Sequence, residues 1–351
     1  MLNIIERLDR EKFAPSVCVL AKGGKLDHVV EDMGIPLLEL PFETKAKPYG
    51  NLHSRVRQLA APFRPHKFSL WHSFHYSDDY TEPLIARAAG AKAWIYTKKN
   101  MNWHRRSWQL RTLLATRVAA QNSDMINEFF AGPIHRRKTR FVPRGVVLEQ
   151  FRSATPSLRL RERLAIPTDY HIVGCVAQLL PVKGHPTLIA ALARIPKTHL
   201  LLAGKSLDKN HAAELRKQVT ELGLDDRVTF LDFVDDVPSF LAEIDLFVLP
   251  TWARWRQEGC PVALLEAMAS GCACIATDIP GARDLVVHTE SGWLVPPEQI
   301  ELLAAALQHL LDRPEQRQRL GRAAQARIAA HYTIEHEVAA HEKLYAEALG
   351  W

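Results

Sequence analysis

Short apolar runs alternate with longer amphipathic stretches along the whole chain. In the first half the runs predict strands at 17–20, 36–40, 69–72, 93–97, 117–120 and 140–143. In the second half they predict strands at 171–178, 199–203, 227–231, 246–249, 273–277 and 293–295. Several runs are unbroken aliphatic or β-branched residues, the pattern of strands covered on both faces. Helical periodicity fills the gaps, as at 212–222 and 300–311. Strand–helix alternation of this kind predicts parallel sheets with helices on both faces. The segment 150–156 (Q-F-R-S-A-T-P) breaks the pattern and is the expected domain boundary.

The most informative stretch runs from Leu246 to Asp278. A strand ends at Pro250 and a loop follows through Cys260. A helix is expected to start at Pro261 and to end before Gly271. Proline suits the first helical position and glycine the left-handed end. The helix N-terminus then faces the carboxyl ends of the parallel strands. Its free N–H groups and dipole suit a phosphate, and Gly259 lets the backbone come close. Glu258 stands just before this helix, and Glu266 about one and a half turns inside it. Ionised carboxylates are strong acceptors for vicinal hydroxyls, such as those of ribose or a sugar. A second turn, Leu179 to Gly184, places Lys183 between a strand and a helix. A lysine there can neutralise a diphosphate leaving group.

Composition narrows the classes. The 351 residues are 47% hydrophobic and 24% charged, enough for two sizeable domains. The longest uncharged run, 170–182, is too short to span a bilayer. Residues 1–7 have no basic-then-apolar signal pattern. Five cysteines without framework spacing suit a reducing compartment. Residues 1–150 carry 24 Lys and Arg against 14 Asp and Glu, whereas the remainder carries 21 against 25. A basic first half suits an anionic contact: a membrane surface, a phosphorylated or lipid-linked substrate, or nucleic acid. No recognition motif accompanies the charge, so nucleic acid is not expected as a partner.

Together these segments resemble glycosyltransferase family 4, the group 1 glycosyltransferases. E-G-C-P-V-A-L-L-E-A-M-A-S-G resembles the family's E-x7-E signature, with Glu258 and Glu266 as its glutamates. V-A-Q-L-L-P-V-K-G resembles its lysine turn, and V-P-R-G-V-V-L-E-Q-F its interdomain segment. D-I-P-G-A-R-D-L-V and S-G-W-L-V-P-P resemble its later glycine-containing turns. The resemblance runs in order from about residue 2 to 345, strongly in the second half and only in layout in the first. It implies an α/β GT-B fold, two Rossmann-like doubly wound domains facing across a cleft. The expected limits are 1–152 for the acceptor-side domain and 153–332 for the nucleotide-sugar domain. A helix at 333–351 is expected to cross back to the first domain.

The resemblance also implies a retaining, metal-independent transfer from a nucleotide-diphosphate sugar, which is a co-substrate, with no cofactor. Glu258 and Lys183 would be catalytic. Glu266 would bind the donor ribose and Glu258 the sugar hydroxyls. Lys183 would bind the diphosphate, with backbone help from Gly259, Cys260, Pro261 and Val262. The acceptor would be a glycan or lipid-linked intermediate of cell-surface polysaccharide or lipopolysaccharide synthesis. The implied location is cytoplasmic, peripheral at the inner face of the membrane. A non-catalytic nucleotide-sugar or glycan-binding relative is the alternative reading. An epimerase on the same fold is disfavoured by the E-x7-E pattern.

Several positions depart from the family pattern. Gln178 stands where the family has an arginine, so a diphosphate cation is lost, and Arg254 or Arg256 is expected to replace it. Arg144 stands for the interdomain asparagine. Lys99 falls where many members place a histidine, which makes Lys98, Lys99 and Asn100 candidates beside the donor sugar. His72 and His75 border the expected acceptor side. Residues 1–13 look like the end of the family's first helix, so the first strand and its glycine loop are missing from the chain as written. Two strands should then lack a partner, and a mis-started or truncated reading frame is the expected cause. Trp103, Ser107, Leu110, Leu114 and Val118 share a helical face near several arginines, suited either to anionic lipid or to packing on the sheet. Cys272 and Cys274 are expected in the core.

Overall fold

The structure is a computed structural model that describes residues 1–103, 106–254 and 259–351. The chain divides into two compact units. The first comprises Met1–Lys99, Trp103–Pro143 and Ile334–Trp351; the second comprises Asn100–Asn102 and Arg144–Thr333.

The first unit contains β1 (Val17–Val19), β2 (Leu37–Glu39), β3 (Leu70–Ser73), β4 (Ala93–Lys98), β5 (Arg117–Ala120) and β6 (Thr139–Phe141). All pairings are parallel. The strands form two sheets, β1-β2 and β3-β4-β5-β6, so β1 and β3 each have one hydrogen-bonded neighbour among the described residues. Both sheets feed one core. Phe42, Val56, Ala60, Phe63 and Ile85 form its centre, with Cys18 of β1 and Trp71 of β3 packed against them. All six residues of β4 are buried, as its unbroken apolar run predicts.

A buried ion pair crosses this unit. The Arg111 and Glu82 side chains are each 1% exposed, and Arg111 Nη2 donates to Glu82 Oε2 at 2.9 Å. Arg111 also donates to Ser73 Oγ at 2.8 Å and to the Asp79 carbonyl. Its guanidinium lies 4.7 Å from the Trp94 ring centroid and 5.3 Å from that of Tyr96. Trp71 Nε1 donates to the other Glu82 oxygen at 3.1 Å. The pair is tolerated because both ions are hydrogen-bonded on several sides.

The helix Arg106–Leu114 corrects one expectation. Its buried residues are Trp108, Arg111 and Thr112, whereas Leu110 and Leu113 are exposed. Of the expected face, Ser107 and Leu114 are half-buried and Leu110 is exposed on this helix, while Trp103 precedes it and Val118 is buried in β5. Arg111 seeks Glu82 in the interior and rotates the helix accordingly. Trp103 stacks on Phe129, with ring centroids 5.2 Å apart.

The second unit holds one parallel sheet of β7 (His171–Val176), β8 (Thr198–Ala203), β9 (Val228–Asp232), β10 (Leu246–Leu249), β11 (Cys274–Thr277) and β12 (Trp293–Val295). The order is β12-β11-β10-β7-β8-β9. The order reverses between β7 and β10, which places a crevice at the carboxyl ends of these two strands, where ligands bind in open α/β sheets. One core lies on each face. Leu188, Ile189, Leu192 and Leu307 belong to one, and Leu264, Leu265, Met268 and Ile328 to the other.

All twelve expected strands are present, with ends shifted by at most two residues. The division between units falls at Pro143/Arg144, ahead of the expected boundary at 150–156. Val146 bridges to Thr333 and Phe151 enters the second unit's core, which holds this segment in that unit. The helix Ile334–Leu349 belongs to the first unit, where Tyr345 lies 2.8 Å from His72 Nδ1. Cys272 and Cys274 are buried in the core, and burial pushes the Cys272 thiol up to about 12. No helix among the described residues is long and apolar enough to cross a membrane.

Candidate functional site

The site is assembled from three loops at the carboxyl edge of the second unit's sheet. The first follows β7. Pro181–Lys183 forms one tight turn, and Gly184 follows with φ +72°. A Cβ at Gly184 would stand 1.9 Å from the Pro250 carbonyl oxygen, so only glycine allows this turn to lie against the end of β10. The same pair of loops is tied by Trp252. Its N–H donates to the Val182 carbonyl at 2.8 Å, and its indole donates to Thr187 Oγ1 at 2.9 Å. Lys183 is thereby placed at the β7/β10 reversal. Burial pulls its ammonium down to about 8.

The second loop leads from β10 into the helix Val262–Ala269, with Pro261 at its N-cap. The expectation began the helix at Pro261; it begins one residue later, and Pro261, which has no N–H, adds no donor there. Val262 is exposed at the first helical position. Leu264, Leu265, Ala267, Met268 and Ala269 are buried, so the helix is locked on nearly every side except the one bearing Glu266. Burial raises the Glu266 carboxyl to about 7, and Arg144 acts in the opposite direction.

The third loop follows β11. Gly281, at φ +82°, would place a Cβ 2.5 Å from the Gly259 carbonyl oxygen, so this turn presses directly on the loop ahead of the Glu266 helix. Three backbone segments thus hold Lys183, the helix N-terminus and Glu266 on one edge. That arrangement turns a cation and a helix N-terminus toward one edge, suited to phosphate, and a carboxylate suited to a diol.

Two of the expected residues, Arg256 and Glu258, lie outside the described residues. Gln178 is exposed at the end of β7. Arg254 is held by Glu298, with Nε donating to Oε1 at 2.9 Å, and its guanidinium lies 5.3 Å from the Trp252 ring centroid. It is engaged there by Glu298 at the rim. Cys260 is half-buried and belongs to the edge of the second core.

The candidates of the first unit separate. His72 is engaged on both ring nitrogens, by Tyr345 at 2.8 Å and by Thr97 Oγ1 at 2.9 Å. Burial holds its pKa well below the usual histidine range, with His341 and Lys99 adding to the effect. His72 thus ties β3 to the Ile334–Leu349 helix. His75 lies 2.9 Å from Ser73 Oγ and 3.3 Å from Glu43. Lys98 is buried with Nζ 3.7 Å from the Trp108 ring centroid, and burial pulls it down to about 7. Lys99 is half-buried, with Nζ 5.2 Å from the Tyr76 ring centroid and 5.6 Å from that of Phe74. Asn100 belongs to the second unit, where its Oδ1 accepts from the Asn102 N–H at 3.3 Å.

Three residues of this site were not assigned a role from the sequence. Trp252 clamps the lysine turn. Arg144 acts electrostatically on Glu266. His185, directly after Gly184, is fully buried and pushed to about 3, by burial first and then by His211 and Lys183. Its neutral ring adds no charge beside Lys183. Arg144 did carry a signal, as a departure inside the interdomain segment.

The site gives a pH prediction. Below about 7 the Glu266 carboxyl is protonated and loses acceptor capacity for a diol. Above about 8 Lys183 is neutral and loses its attraction for diphosphate. The profile of kcat/KM for a nucleotide sugar is expected to be bell-shaped, with limbs near these values. Glu266→Gln should abolish the acid limb. A flat profile through this interval in the wild-type chain would contradict the assignment.

The second unit is a doubly wound α/β unit with a lysine turn and a carboxylate-bearing helix at its reversal point. The comparisons sharpen that class. Residues 157–327, just under half of the chain, match the family model for glycosyl transferases group 1. A GDP-mannose-dependent alpha-(1-6)-phosphatidylinositol monomannoside mannosyltransferase of Mycobacterium tuberculosis is 32% identical over 183 residues, 49% of this chain and 46% of that one. The lipopolysaccharide core biosynthesis mannosyltransferase LpsB of Rhizobium meliloti is 29% identical over 213 residues, 57% of this chain and 58% of that one. The chain thus spans about half the length of the curated relatives it matches. Among solved structures, a glycosyltransferase from Rickettsia africae superposes with TM-score 0.87 at 16% identity, covering 99% of this chain and 93% of that one. HepE of Anabaena, solved in complex with UDP and glucose, gives 0.82 at 22% identity, covering 98% and 94%. These likenesses show the fold: the chain has the α/β architecture of the GT-B glycosyltransferases.

Proposed function

We propose that the chain transfers a sugar from a nucleotide-diphosphate sugar to a glycan or lipid-linked acceptor, with retention and without a metal ion. The observation that carries this reading is the joint placement of Lys183 and Glu266 on one sheet edge, in loops held together at Gly184 and Gly281. Glu266 accepts hydrogen bonds from the ribose hydroxyls. Lys183 and the N–H groups at the start of the Val262–Ala269 helix take the diphosphate, aided by Gly259 and Cys260. Glu258 takes the sugar hydroxyls in this reading, and Arg256 is proposed on the nucleotide side. His72, Lys99 and Asn100 stay proposed on the acceptor or donor-sugar side.

In the reaction the bond between the anomeric carbon and the diphosphate oxygen breaks. The acceptor oxygen bonds to that carbon on the same face. The acceptor proton passes to the leaving diphosphate oxygen, so atoms and charge balance without a protein base. Lys183 stabilises the charge that accumulates on the leaving group. The names of the relatives, which concern lipopolysaccharide core and phosphatidylinositol mannoside synthesis, support a glycan or lipid-linked acceptor; a location at the inner face of the cytoplasmic membrane is proposed with it.

The test is incubation of the full chain with a panel of UDP- and GDP-sugars and a lipid-linked glycan acceptor, with EDTA present. Release of nucleoside diphosphate together with an α-linked product from an α-linked donor is expected. Saturable donor binding with no turnover would instead favour a nucleotide-sugar-binding relative.

A further inference from the structure

A second polar surface lies on the first unit, at the carboxyl ends of β2 and β3. Glu43 follows β2 and His75 follows β3, and their side chains meet with Nε2 3.3 Å from Oε2. Ser77 Oγ donates to the same Glu43 oxygen at 3.5 Å, and His75 Nδ1 lies 2.9 Å from Ser73 Oγ. Solvent reaches both, because the His75 side chain is 29% exposed and that of Glu43 34%. Three tyrosines stand in the same two loops. Tyr49 is 60% exposed and Tyr76 71%, and Tyr80 is half-buried with the Tyr49 side chain against its hydroxyl. Hydrogen bonds fix both loops. Arg55 Nη2 donates to the carbonyls of Lys45 at 2.9 Å, Ala46 at 3.1 Å and Pro48 at 3.1 Å. The Thr44 N–H donates to Thr81 Oγ1 at 3.0 Å, which ties one loop to the other. Asp79 Oδ1 accepts from the N–H groups of Thr81 at 2.8 Å and Glu82 at 2.9 Å. Residues 40–51 and 74–81 carry Glu43, Asp78 and Asp79 against Lys45 and Lys47. This surface is therefore not basic, although the first half of the chain is.

We infer that this surface binds a neutral sugar residue, and that the acceptor is recognised through it. Calling that sugar the acceptor rests on the transfer proposed above; the binding itself does not. A pyranose ring has an apolar C–H face and a rim of hydroxyls. An exposed tyrosine ring covers the first, and its hydroxyl can reach the rim. An ionised carboxylate is a strong acceptor for the second. His75 and Ser77 both engage Glu43 Oε2, so they act as positioning residues that turn Oε1 toward a ligand hydroxyl. Loops already held by Arg55, Thr81 and Asp79 bind without a large ordering cost. A phosphate would meet Glu43, Asp78 and Asp79, and like charges disfavour it. An apolar partner would desolvate Glu43 without replacing its hydrogen bonds to water.

The experiment is saturation-transfer NMR on the full chain with mannotriose, lactose and diacetylchitobiose, and with mannose phosphate as the anionic comparison. Saturable binding of a neutral saccharide is expected, and weaker binding of the phosphate. Glu43→Gln should weaken saccharide binding about tenfold, the loss of one charge-assisted hydrogen bond. Tyr76→Ala should weaken it about fivefold through the lost ring face, and Tyr76→Phe, which keeps that face, should bind like the wild type. Both side chains reach solvent, so unchanged melting temperatures are expected. Failure of every neutral saccharide to bind would overturn the inference. So would tighter binding of mannose phosphate, or wild-type binding by both Glu43→Gln and Tyr76→Ala. Binding is read without donor, so a chain that binds the saccharide, loses it in these variants and transfers nothing would fail the proposed transfer alone. In a chain that does transfer, Tyr76→Ala should raise KM for a saccharide acceptor more than it lowers kcat. An unchanged acceptor KM there would detach this surface from the acceptor and overturn the inference.

Discussion

Replacement of Lys183 by alanine is expected to lower kcat/KM for the nucleotide sugar by about 10²- to 10³-fold, the loss typical of removing one preorganised group at a site of developing charge. The effect should be large even with Arg256 proposed on the nucleotide side, because Lys183 is the cation placed at the β7/β10 reversal. Gln178 is neutral and exposed, and Arg254 is committed to Glu298. Lys183 is also partly desolvated, which pulls it down to about 8 and strengthens any attraction it makes. Diphosphate bound beside it should raise that pKa again. Folding should suffer little, since the variant removes a cation whose burial is unfavourable. The check is steady-state kinetics with a parallel melting curve. A well-folded variant with unchanged kcat/KM would remove Lys183 from the site.

The second large effect is expected on stability. Glu82→Ala should destabilise the first unit by about 3–5 kcal/mol, because it leaves Arg111 charged and unpaired in the interior. Glu82 accepts from both Arg111 and Trp71, so two donors lose their acceptor together. The double variant Glu82→Leu with Arg111→Met should recover much of the loss, since replacing a buried pair by apolar groups is often close to neutral. Urea unfolding of the three proteins, followed by tryptophan fluorescence, gives the comparison. Trp71 and Trp94 adjoin the pair and report on it directly. An additive double variant would mean that the two charges do not act as a unit.

These two residues show what was and was not legible. Lys183 was readable because its position depends on local order: a strand, a tight turn, a glycine, then a helix. The same holds for Glu266, which sits one and a half turns into a helix whose start and end are marked by Pro261 and Gly271. Arg111 gave no such signal. Its partner Glu82 is 29 positions away, and a charged residue on an amphipathic stripe ordinarily faces water. The buried pair rotated the Arg106–Leu114 helix away from the face that apolar periodicity suggested. Trp252 was equally unreadable, because its role rests on the approach of two loops rather than on either loop alone.

The sequence by itself determined the twelve strands, their parallel class and the two loops that carry Lys183 and Glu266. Those features follow from backbone hydrogen bonding, side-chain periodicity and turn chemistry, all of which act over a few residues. Only the tertiary structure decided the separation of β1-β2 from β3-β6, the assignment of Arg144 to the second unit, and the electrostatic setting of Glu266. It also decided which helix face carries exposed leucines among arginines. Each of these depends on contacts between distant segments, where burial and the local dielectric set the energy of a charge, and neither quantity is carried by the order of residues alone.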